Sequence, residues 1–515
     1  MTFLCVPIFV TELAKARRDI ALAAEAGADM AELRLDHMAT ENGVIDEILS
    51  QALLPFILTC RPTSEGGFSA LTDAQRLEML TGEQAPTGCL IDWELQSARE
   101  FPVSGSGRWI VSFHDFQGRP PKLYNLINEM NQLPADVNKI VWHARTIRDN
   151  LEALELLQTR SRPTIALCMG EAGIISRVLA KKFGAFLTFA SLDATESTAP
   201  GQITIADMKK LYRWDAIGAA TKVFGVVASP VRHSMSPAIH NAAFDAVGYD
   251  GVYLPMLVEP SYESFKAFIE SFMALKGLDL SGLSITIPHK ENALRYLREK
   301  GGAIEELADR IGAVNTIAFG RDGGGAPKLS GTNTDYAAIL DSITTKLGID
   351  RKGLAGLRVG VFGAGGTGRT AVAALAHYGA HVLIYNRTPS RAQALADELN
   401  GHLGKVVSVE MTELLASKCD VWINTSSVGM HPNVDESPLG NAKPMFTPQS
   451  VVFDTVYNPI KTRLLTQAES CGAKIIGGVE MFVRQAAAQF ETWTHQSAPT
   501  DVMRQIVEKR LGSLA

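Results

Sequence analysis

Short apolar runs alternate with stretches of helical periodicity through the first 191 residues of the chain. An alternation of strands and helices predicts a parallel sheet, and eight such units in about 200 residues predict a (β/α)8 barrel. Clear helical patterns fill three of the gaps, at Thr11–Ala26, Lys122–Leu133 and Asp149–Thr159. The eight predicted strands are Phe3–Phe9, Met30–Asp36, Phe56–Arg61, Cys89–Leu95, Trp109–Phe116, Lys139–His143, Thr164–Met169 and Phe186–Ser191.

A second alternation follows Trp214, starting with a predicted strand at residues 222–227, and it contains a distinctive strand–turn–helix. The strand Val359–Phe362 leads into G-A-G-G-T-G (363–368), an Ala-rich helix at Thr370–His377 and a further strand at His381–Tyr385. This context predicts a Rossmann-type nucleotide-binding domain, with a plain structural turn as the alternative.

The glycine-rich turn suits the pyrophosphate of a dinucleotide. Gly363 permits the tight turn, Gly365 lets the backbone approach the pyrophosphate, and Gly368 lets the helix pack closely on the strand. The N–H groups at the start of the helix attract phosphate. We therefore expect cofactor contacts from Gly363, Ala364, Gly365, Gly366 and Thr367.

The residues after the strand His381–Tyr385 indicate which dinucleotide binds. NAD sites usually place an acidic residue there to hold the ribose 2′-OH. This chain instead has Asn386-Arg387-Thr388, with Arg391 one turn later. A guanidinium pairs with a 2′-phosphate, which a carboxylate would repel. The sequence therefore predicts NADP, and a solvated basic turn is the alternative.

Composition narrows the class of protein. A hydrophobic fraction of 46% and a net charge of −6 without a basic run fit a globular protein and argue against a nucleic-acid partner. The six cysteines are scattered without a C-x-x-C pair, which indicates reduced thiols and argues against a cysteine zinc site. We expect no metal, because Gly379 interrupts the helix between His377 and His381. Oligomeric state cannot be inferred.

Two further patterns bear on location. No apolar run reaches the length of a membrane span. The first ten residues lack the basic segment that precedes the apolar run of a signal peptide. We therefore expect a cytoplasmic protein, or a plastid protein if a transit peptide has been removed.

Several predicted barrel strands carry charged residues where a purely structural strand would not. Glu32, Arg34 and Asp36 alternate, so their side chains point to one face. Arg61 ends the third strand, His114 and Asp115 lie near the end of the fifth, and Lys139 opens the sixth. One such residue alone would most often be a surface charge or half of a buried pair. Their convergence on one barrel predicts a site.

Six motifs in this half resemble the type I 3-dehydroquinate dehydratases. They are E-L-R-L-D (32–36), T-C-R-P-T-S-E-G-G (59–67), S-F-H-D-F (112–116), D-V-N-K-I (136–140), M-G-E-A-G-I-I-S-R (169–177) and A-P-G-Q (199–202). The resemblance implies that Lys139 forms a Schiff base with the substrate ketone and that His114 is the general acid and base. It also implies that the substrate is bound, or His114 oriented, by Glu32, Arg34, Arg61, Arg177, Thr198 and Gln202.

The chain departs from this family at a few positions. Thr198 stands where the family often has serine, which keeps a hydroxyl. Trp142 and His143 follow the lysine where smaller apolar residues are usual, which puts the local packing in doubt.

Seven motifs after residue 222 resemble the shikimate dehydrogenases. They are S-P-V-R-H-S-M-S-P (229–237), L-S-I-T-I-P-H-K (283–290), G-A-V-N-T (312–316), G-T-N-T-D (331–335), N-T-S-S-V-G-M (424–430), D-T-V-Y-N-P (454–459) and G-G-V-E-M-F-V-R-Q-A-A (477–487). The family implies a substrate domain, a Rossmann NADP domain and a return of the chain to the first. Lys290 and Asp335 would be the catalytic pair.

The same resemblance implies the contacts around that pair. The substrate carboxylate and hydroxyls would be held by Ser234, Ser236, Thr286, Asn315, Tyr457 and Gln485, and the nicotinamide end by Thr455 and Gly478. Ser284 replaces an asparagine that is usual there, so one substrate contact could differ. Structural roles remain open: Ser234 and Ser236 as caps of a helix at Ala238–Val247, Lys290 as a surface residue after a strand at 283–287, and Asp335 as the cap of a helix at Tyr336–Leu347.

The two resemblances name consecutive reactions. Dehydration of 3-dehydroquinate gives 3-dehydroshikimate, which the second half would reduce to shikimate with NADPH. The chain therefore resembles the fused dehydratase–dehydrogenases of plants and some bacteria. The implied domains are a barrel at 1–218, a substrate domain at 222–333 completed by 479–515, and a Rossmann domain at 334–478.

Three rival interpretations remain at this point. The second half could act on quinate, since substrate choice can rest on one contact. A class I aldolase would explain the barrel lysine but not H-D-F or A-P-G-Q. A metabolite-sensing protein with decayed sites would have lost key residues, yet His114, Lys139, Lys290 and Asp335 are all present.

Overall fold

The computed structural model describes residues 1–37, 44–50, 53–82, 88–103, 107–193, 201–232, 234–321, 327–400, 404–440, 442 and 445–512. The chain forms two compact units, Met1–Pro237 with Asp250–Leu280 and Ala238–Tyr249 with Ser281–Ala515. Within the described ranges, no helix is both long and apolar enough to cross a membrane.

Eight parallel strands form a barrel in the first unit. They are β1 (Phe3–Phe9), β2 (Met30–Arg34), β3 (Phe56–Thr59), β4 (Leu90–Glu94), β5 (Arg108–Asp115), β6 (Val137–His143), β7 (Thr164–Met169) and β8 (Leu187–Phe189). Their order is β7-β6-β5-β4-β3-β2-β1-β8. A backbone hydrogen bond from Phe186 N to Thr164 O (2.8 Å) crosses the remaining seam. The predicted (β/α)8 barrel is confirmed as a nearly closed barrel.

Helices connect the strands, and alternate side chains of the strands point into the barrel. They are α1 (Leu13–Glu25), α2 (Val44–Leu49), α3 (Asp73–Thr81), α4 (Leu95–Glu100), α5 (Leu123–Gln132), α6 (Asp149–Thr159), α7 (Ile174–Val178) and α8 (Ile205–Lys210). Inside the barrel, Met30, Ile57 and Val137 belong to one apolar cluster. Because side chains alternate along a strand, the positions two residues further on point the same way, and they bring Glu32 and Lys139 to the interior.

Six of the eight predicted barrel strands have boundaries that differ by one or two residues from those in the structure, and β2 and β6 are examples. β2 ends at Arg34, two residues before Asp36, and β6 begins at Val137, two residues before Lys139. The polar pair Asn138-Lys139 interrupts the apolar run of β6, which made the strand look shorter in the sequence. The position of a strand end does not affect the alternation of side chains along the strand, so the same side chains face inward.

The first unit also contains elements that follow the barrel. They are β9 (Lys222–Ala228), the start of α9 (Ser236–Ala246), β10 (Gly251–Leu257) and α10 (Tyr262–Ala274). Lys182, whose side chain is 1% exposed, donates to Ala219 O (2.8 Å) and pairs with Asp279 (2.7 Å). Arg213 donates to Gly251 O (2.7 Å). These contacts fasten the barrel to the chain around β9 and β10.

The second unit contains strands of two sheets. Its first group of elements is β11 (Leu280–Ile285), α11 (Lys290–Lys300), β12 (Ala303–Ile304), α12 (Glu306–Ile311), β13 (Thr316–Arg321), β14 (Pro327–Thr332) and α13 (Thr334–Leu347). β13 pairs antiparallel with both β11 and β14, and β12 pairs parallel with β14.

The second sheet of this unit has the strand order of a Rossmann fold. Its elements are β15 (Arg358–Phe362), α14 (Gly366–His377), β16 (His381–Tyr385), α15 (Pro389–Leu399), β17 (Val406–Ser408), β18 (Val421–Asn424), β19 (Val451–Asp454), α16 (Arg463–Ser470) and β20 (Lys474–Ile476). All strands are parallel in the order β17-β16-β15-β18-β19-β20. This is the doubly wound order that places dinucleotides at the switch between β15 and β18. The Rossmann prediction is confirmed.

Two C-terminal helices complete the second unit, α17 (Gly478–Thr494) and α18 (Thr500–Gly512). α17 packs against α13 and α18 packs against α17. The chain therefore passes through the Rossmann sheet and then returns to the helix that precedes it.

Candidate active sites

A solvent-accessible cavity with several charged residues in its lining lies where the barrel strands end. The predicted residues that line it are Glu32, Arg34, Arg61, His114, Lys139, Arg177 and Gln202. Thr198 lies outside the described residues. The sequence therefore identified side chains that share one cavity although they come from six different segments.

Lys139 projects from β6 into this cavity and is 4% exposed. Its Nζ lies 2.7 Å from Asp92 Oδ2 and 3.1 Å from Glu32 Oε1. The same nitrogen lies 4.7 Å from the ring centroid of Phe189. Both carboxylates and the ring face stabilise positive charge at Nζ, which an ammonium and an iminium both carry.

Asp92 also binds Arg61, which links the lysine to a wider buried network. Arg61 pairs through Nη2 with Asp92 Oδ2 (2.8 Å) and through Nη1 with Glu94 Oε1 (2.7 Å). Glu94 in turn accepts from Arg76 Nη1 (2.7 Å). Burial favours a raised pKa for Asp92, but the charges of Arg61 and Lys139 outweigh it and lower the pKa below its usual range. Asp92 is therefore ionised beside the lysine.

His114 ends the inward face of β5 and contacts Glu65 on the loop after β3. Its Nδ1 lies 2.9 Å from Glu65 Oε2, and its backbone N donates to the same oxygen (3.2 Å). Burial, then the charges of Arg61 and Lys139, lower the pKa of His114 well below its ordinary value. Burial raises the pKa of Glu65 to about 8 although Arg61 acts against it. The imidazole is thus neutral near pH 7 and able to accept a proton.

Arg177 on α7 differs from the other arginines of the cavity. It is 1% exposed, and its Nε has no hydrogen-bond partner among the described residues. Burial lowers its pKa to about 10. A buried guanidinium donor without a protein acceptor is costly, so this site is suited to an anionic group of a ligand.

The two residues that departed from the family pattern are accommodated. Trp142 is fully buried and has the opposite parity to Lys139, so it faces the helices rather than the cavity. His143 fills the space beside Gly170, where a Cβ would lie 2.8 Å from the imidazole. The packing that the sequence left in doubt is therefore compatible with the barrel.

In the second unit, Lys290 and Asp335 form an ion pair with Nζ 2.5 Å from Oδ2. Their side chains are 28% and 14% exposed, so the pair is accessible to a ligand. Lys290 opens α11. The helix cap of α13 is Asn333, whose side chain accepts from Asp335 N (3.1 Å). The alternative in which Asp335 itself caps the helix is therefore wrong.

Asn315 lies near the start of α13, where hydrogen bonds hold both its backbone and its side chain. Its backbone N donates to Thr332 O (3.1 Å), and its Nδ2 donates to Thr334 Oγ1 (3.1 Å). Thr286 follows β11 and accepts at its carbonyl from His289 N (2.8 Å), a turn that leads directly to Lys290. The predicted polar residues Thr286 and Asn315 thus flank the first residues of α11 and α13.

The departure at Ser284 has a structural explanation. Ser284 Oγ donates to Gln489 Oε1 (2.7 Å), and Gln489 Nε2 donates to Thr316 Oγ1 (3.0 Å). This buried chain of hydrogen bonds ties α17 to β11 and β13. Gln489 lies one turn after the predicted Gln485, whose Nε2 donates to Phe482 O (2.9 Å).

Ser234 and Ser236 belong to the first unit, at the start of α9. Ser234 Oγ accepts from the backbone N of Ser236, the first residue of α9 (3.3 Å). α9 begins at Ser236, two residues before the predicted Ala238. Both residues are partly exposed.

The glycine-rich turn has the geometry that its sequence indicated. Gly363 has φ +108°, which other residues rarely adopt. A Cβ on Gly368 would lie 2.3 Å from Gly363 O, whereas Cβ atoms on Gly365 and Gly366 would meet nothing within 4 Å. α14 begins at Gly366, four residues before the predicted Thr370, so its first N–H groups face this open space. Ala364 and Thr367 lie on the same turn.

The strand after the glycine turn ends in the predicted basic segment. Asn386 Oδ1 accepts from Ala364 N (3.2 Å), and its Nδ2 donates to Thr388 O (2.8 Å). Arg387 and Arg391 are exposed, and within the described part of the chain neither has an ion-pair partner. The turn therefore presents two arginines beside the phosphate-binding glycine residues.

Residues predicted at the nicotinamide end come together at the C-terminal edge of β19. Thr455 Oγ1 donates to Asn424 O (2.9 Å). A Cβ on Gly478 would lie 2.6 Å from Thr455 O and 2.4 Å from Val456 O, so α17 can start here because residue 478 is glycine. Tyr457 stacks on Phe482 at 5.1 Å, and it is 37% exposed.

Sequence reasoning missed Glu65, Asp92, Glu94 and Gln489. Asp92 and Glu94 alternate on β4 in the same way as Glu32 and Arg34 on β2, so this signal was available in L-I-D-W-E (90–94). Glu65 stands inside a motif already singled out. No sequence motif around Gln489 indicated its role.

Four known protein families match successive parts of the chain. Family models match type I 3-dehydroquinase at 4–219, the shikimate dehydrogenase substrate binding domain at 226–317, shikimate/quinate 5-dehydrogenase at 347–459 and the shikimate 5′-dehydrogenase C-terminal domain at 478–508.

Individual relatives agree with these matches. A chloroplastic bifunctional 3-dehydroquinate dehydratase/shikimate dehydrogenase of Arabidopsis thaliana is 38% identical, covering 99% of this chain and 84% of its own. An NADP(+) shikimate dehydrogenase of Methanopyrus kandleri is 38% identical over 58% of this chain and 98% of its own. A solved shikimate dehydrogenase in complex with NADP+ is 35% identical, with a TM-score of 0.51, over 57% of this chain and 97% of that one. With both halves matched in order and one relative matched over almost the whole chain, the protein belongs to the family of bifunctional 3-dehydroquinate dehydratase/shikimate dehydrogenases.

Proposed function

We propose that the barrel dehydrates 3-dehydroquinate to 3-dehydroshikimate through a Schiff base on Lys139. The observation that carries this proposal is the placement of Lys139 Nζ beside Asp92 and Glu32 in a cavity that also contains a neutral His114. Arg177 offers a buried guanidinium donor for the substrate carboxylate. Glu32, Arg34, Arg61, Thr198 and Gln202 complete the proposed substrate contacts.

The proposed reaction balances with the groups present. The Lys139 amine adds to the ketone carbon, and loss of water gives an iminium whose charge Asp92 and Glu32 stabilise. His114 then takes a proton from the carbon next to the iminium and returns it to the departing hydroxyl, which leaves as water. Hydrolysis of the iminium regenerates Lys139, so the net change is the loss of one water molecule.

The second half would reduce 3-dehydroshikimate to shikimate with NADPH as hydride donor. The open space at Gly365 and Gly366, the start of α14 and the exposed Arg387 and Arg391 fit a dinucleotide with a 2′-phosphate. Lys290 would give a proton to the carbonyl oxygen, and Asp335 would hold the ammonium and accept from a substrate hydroxyl.

The remaining contacts and the division into domains complete this proposal. Ser234, Ser236, Thr286, Asn315, Tyr457 and Gln485 would bind the substrate, and Thr455 and Gly478 would contact the nicotinamide. The corresponding domains are 1–218 for the dehydratase, 222–333 with 479–515 for the substrate domain, and 334–478 for the nucleotide domain.

One assay tests both halves together. The protein is incubated with 3-dehydroquinate and NADPH while the enone absorbance and the loss of NADPH are followed. The proposal expects an enone intermediate that forms first and then declines as NADPH is consumed. Enone formation without NADPH loss would contradict the second half of the proposal. The absence of both signals would contradict the first half, and 3-dehydroshikimate supplied directly with NADPH then tests the second.

His114→Ala should slow dehydration by roughly 10² to 10⁴, the usual contribution of a general acid or base. The adduct with Lys139 should still form and be trapped by borohydride, and dehydrogenase turnover should be unchanged. Loss of both activities would indicate a general structural defect instead. The measurements are the dehydration rate, the mass of the trapped adduct and the NADPH-dependent rate.

The lowered pKa of His114 also predicts the pH dependence of dehydration. A histidine of ordinary pKa loses about half of its base form when the pH falls to 6.5. Because burial and nearby cations lower the pKa of His114, its neutral form persists at that pH. The kcat/KM for 3-dehydroquinate should therefore stay level between pH 7.5 and 6.5, and a twofold decline would argue against this protonation state.

Arg387→Ala should weaken NADP binding selectively. Loss of one charge-assisted contact costs about 1.5–3 kcal/mol, or roughly 10–150-fold in the Michaelis constant. The constant for NAD should hardly change, since NAD lacks the 2′-phosphate. Arg310→Ala removes an exposed arginine of α12 and should change neither constant. Equal effects of Arg387→Ala on both cofactors would exclude a role in recognising the phosphate.

A further inference from the structure

Asp36 lies two residues beyond the end of β2, and its side chain is fully buried. Its carboxylate binds Arg34 in a bidentate manner, with Nε to Oδ1 at 2.9 Å and Nη2 to Oδ2 at 2.8 Å. The pair fixes the plane of the Arg34 guanidinium, whose carbon lies 5.3 Å from the ring centroid of Phe9. Arg34 also lines the cavity.

The same carboxylate holds a second element. Asp36 Oδ2 accepts a hydrogen bond from Phe68 N (3.1 Å), at the far end of the loop that follows β3. The Phe68 ring lies over His37 with centroids 4.1 Å apart, which reinforces this attachment. The loop is thus fastened to the end of β2 by one backbone hydrogen bond and one ring contact.

This loop also carries Glu65, the partner of His114. Its path is tight, because Gly66 has φ +75° and a Cβ on Gly67 would lie 2.1 Å from Arg61 O. Ser69 N donates to Arg61 O (3.1 Å), so the loop folds back over Arg61 before it reaches α3. A loop held at both ends keeps Glu65 Oε2 at 2.9 Å from His114 Nδ1.

From these contacts we infer that Asp36 is a positioning residue that controls the dehydration site in two ways, through Arg34 and through the loop that carries Glu65. Its negative charge orients Arg34 toward the substrate, which governs substrate affinity. Its hydrogen bond to Phe68 N holds the loop, which governs the placement of Glu65 and therefore of His114. The inference rests on the proposed roles of Arg34 and His114.

Two substitutions separate these effects. Asp36→Asn keeps an oxygen that can accept from Phe68 N but removes the charge that pairs with Arg34. We expect KM for 3-dehydroquinate to rise about 10-fold or more, with kcat within about threefold of the wild-type value. Asp36→Ala removes both contacts. We expect a similar rise in KM and, in addition, a fall in kcat of about 10²-fold, the size associated with displacing a catalytic group by about 1 Å.

The matched control is Glu129→Gln. Glu129 binds Arg99 in the same bidentate geometry, with 2.6 and 2.9 Å contacts, but on the barrel surface. This variant should leave KM and kcat within about twofold, because exposed pairs contribute little. Dehydrogenase turnover and the borohydride-trapped adduct are measured for every variant, and both should persist.

A double-mutant cycle with Arg34→Ala completes the test. If Asp36 acts on affinity through Arg34, Asp36→Asn should not raise KM further when Arg34 is already alanine. Equal kcat values for Asp36→Asn and Asp36→Ala would overturn the role of the loop, and an unchanged KM in Asp36→Asn would overturn the role through Arg34. Normal dehydration in Arg34→Ala or His114→Ala would instead contradict the proposed function itself.

Discussion

Lys139→Ala is expected to reduce dehydratase turnover by at least about 10⁴-fold, because removing the nucleophile of a covalent mechanism costs on the order of 10⁶ in kcat. Lys139 Nζ lies between Asp92 and Glu32, and no other lysine is found among the described residues that line the cavity. Alanine cannot form an iminium, so the carbon next to the ketone is not acidified and His114 has no acidic proton to remove. Dehydrogenase turnover should be retained.

Chemical trapping makes this result specific to one nitrogen. Borohydride added with 3-dehydroquinate reduces an iminium to a stable amine, so the wild-type peptide that contains residue 139 should gain the mass of the ligand. Lys182 is a useful internal reference, because it is equally buried but pairs with Asp279 away from the cavity. The same mass gain in Lys139→Ala, or a gain at Lys182, would show that Lys139 is not the nucleophile.

Lys290→Met is expected to slow hydride transfer by at least about 10²-fold, the low end for a general acid. Reduction of a ketone places negative charge on its oxygen, which then needs a proton. The ammonium of Lys290 is suited to both tasks because Asp335 holds it at 2.5 Å while the pair remains partly exposed. Methionine keeps the length of the side chain and removes its charge. NADP binding and dehydration should persist.

Lys300→Met provides the comparison on the same helix. Lys300 is the last residue of α11 and is exposed, so its replacement changes the helix charge without reaching the ion pair. Turnover of this variant should remain within about twofold of wild type, since exposed charges contribute little. A Lys290→Met enzyme with near-normal dehydrogenase turnover would show that the proton comes from another group.

Local regularities in the sequence were sufficient for much of the fold. The alternation of Glu32, Arg34 and Asp36 predicted a shared face because side-chain direction in a strand depends only on neighbouring residues. The glycine spacing at 363–368 predicted the turn for the same reason. Helix starts were less accurate, since α14 begins at Gly366, and a run of glycine residues does not look helical.

Contacts between distant segments were much harder to predict. Glu65 meets His114 across 49 residues, and Asp92 meets Lys139 across 47. Each contact depends on the register of several strands and on the backward turn at Gly66, which no short pattern encodes. Glu94 could have been suspected from its spacing to Asp92, but its role as a bridge between Arg61 and Arg76 required the structure.

The attachment of β9 and β10 to the barrel has a consequence for how the gene can be divided. Lys182 is buried against Ala219 O and Asp279, and Arg213 reaches Gly251 O. A stop codon placed between the two catalytic sequences would leave the Lys182 ammonium without its carboxylate and would deprive both halves of packing partners. Gene fission at that point would separate two activities but would cut through one folding unit. Independent expression of the dehydratase would therefore expose to solvent the surface around positions 182 and 213 that these segments cover.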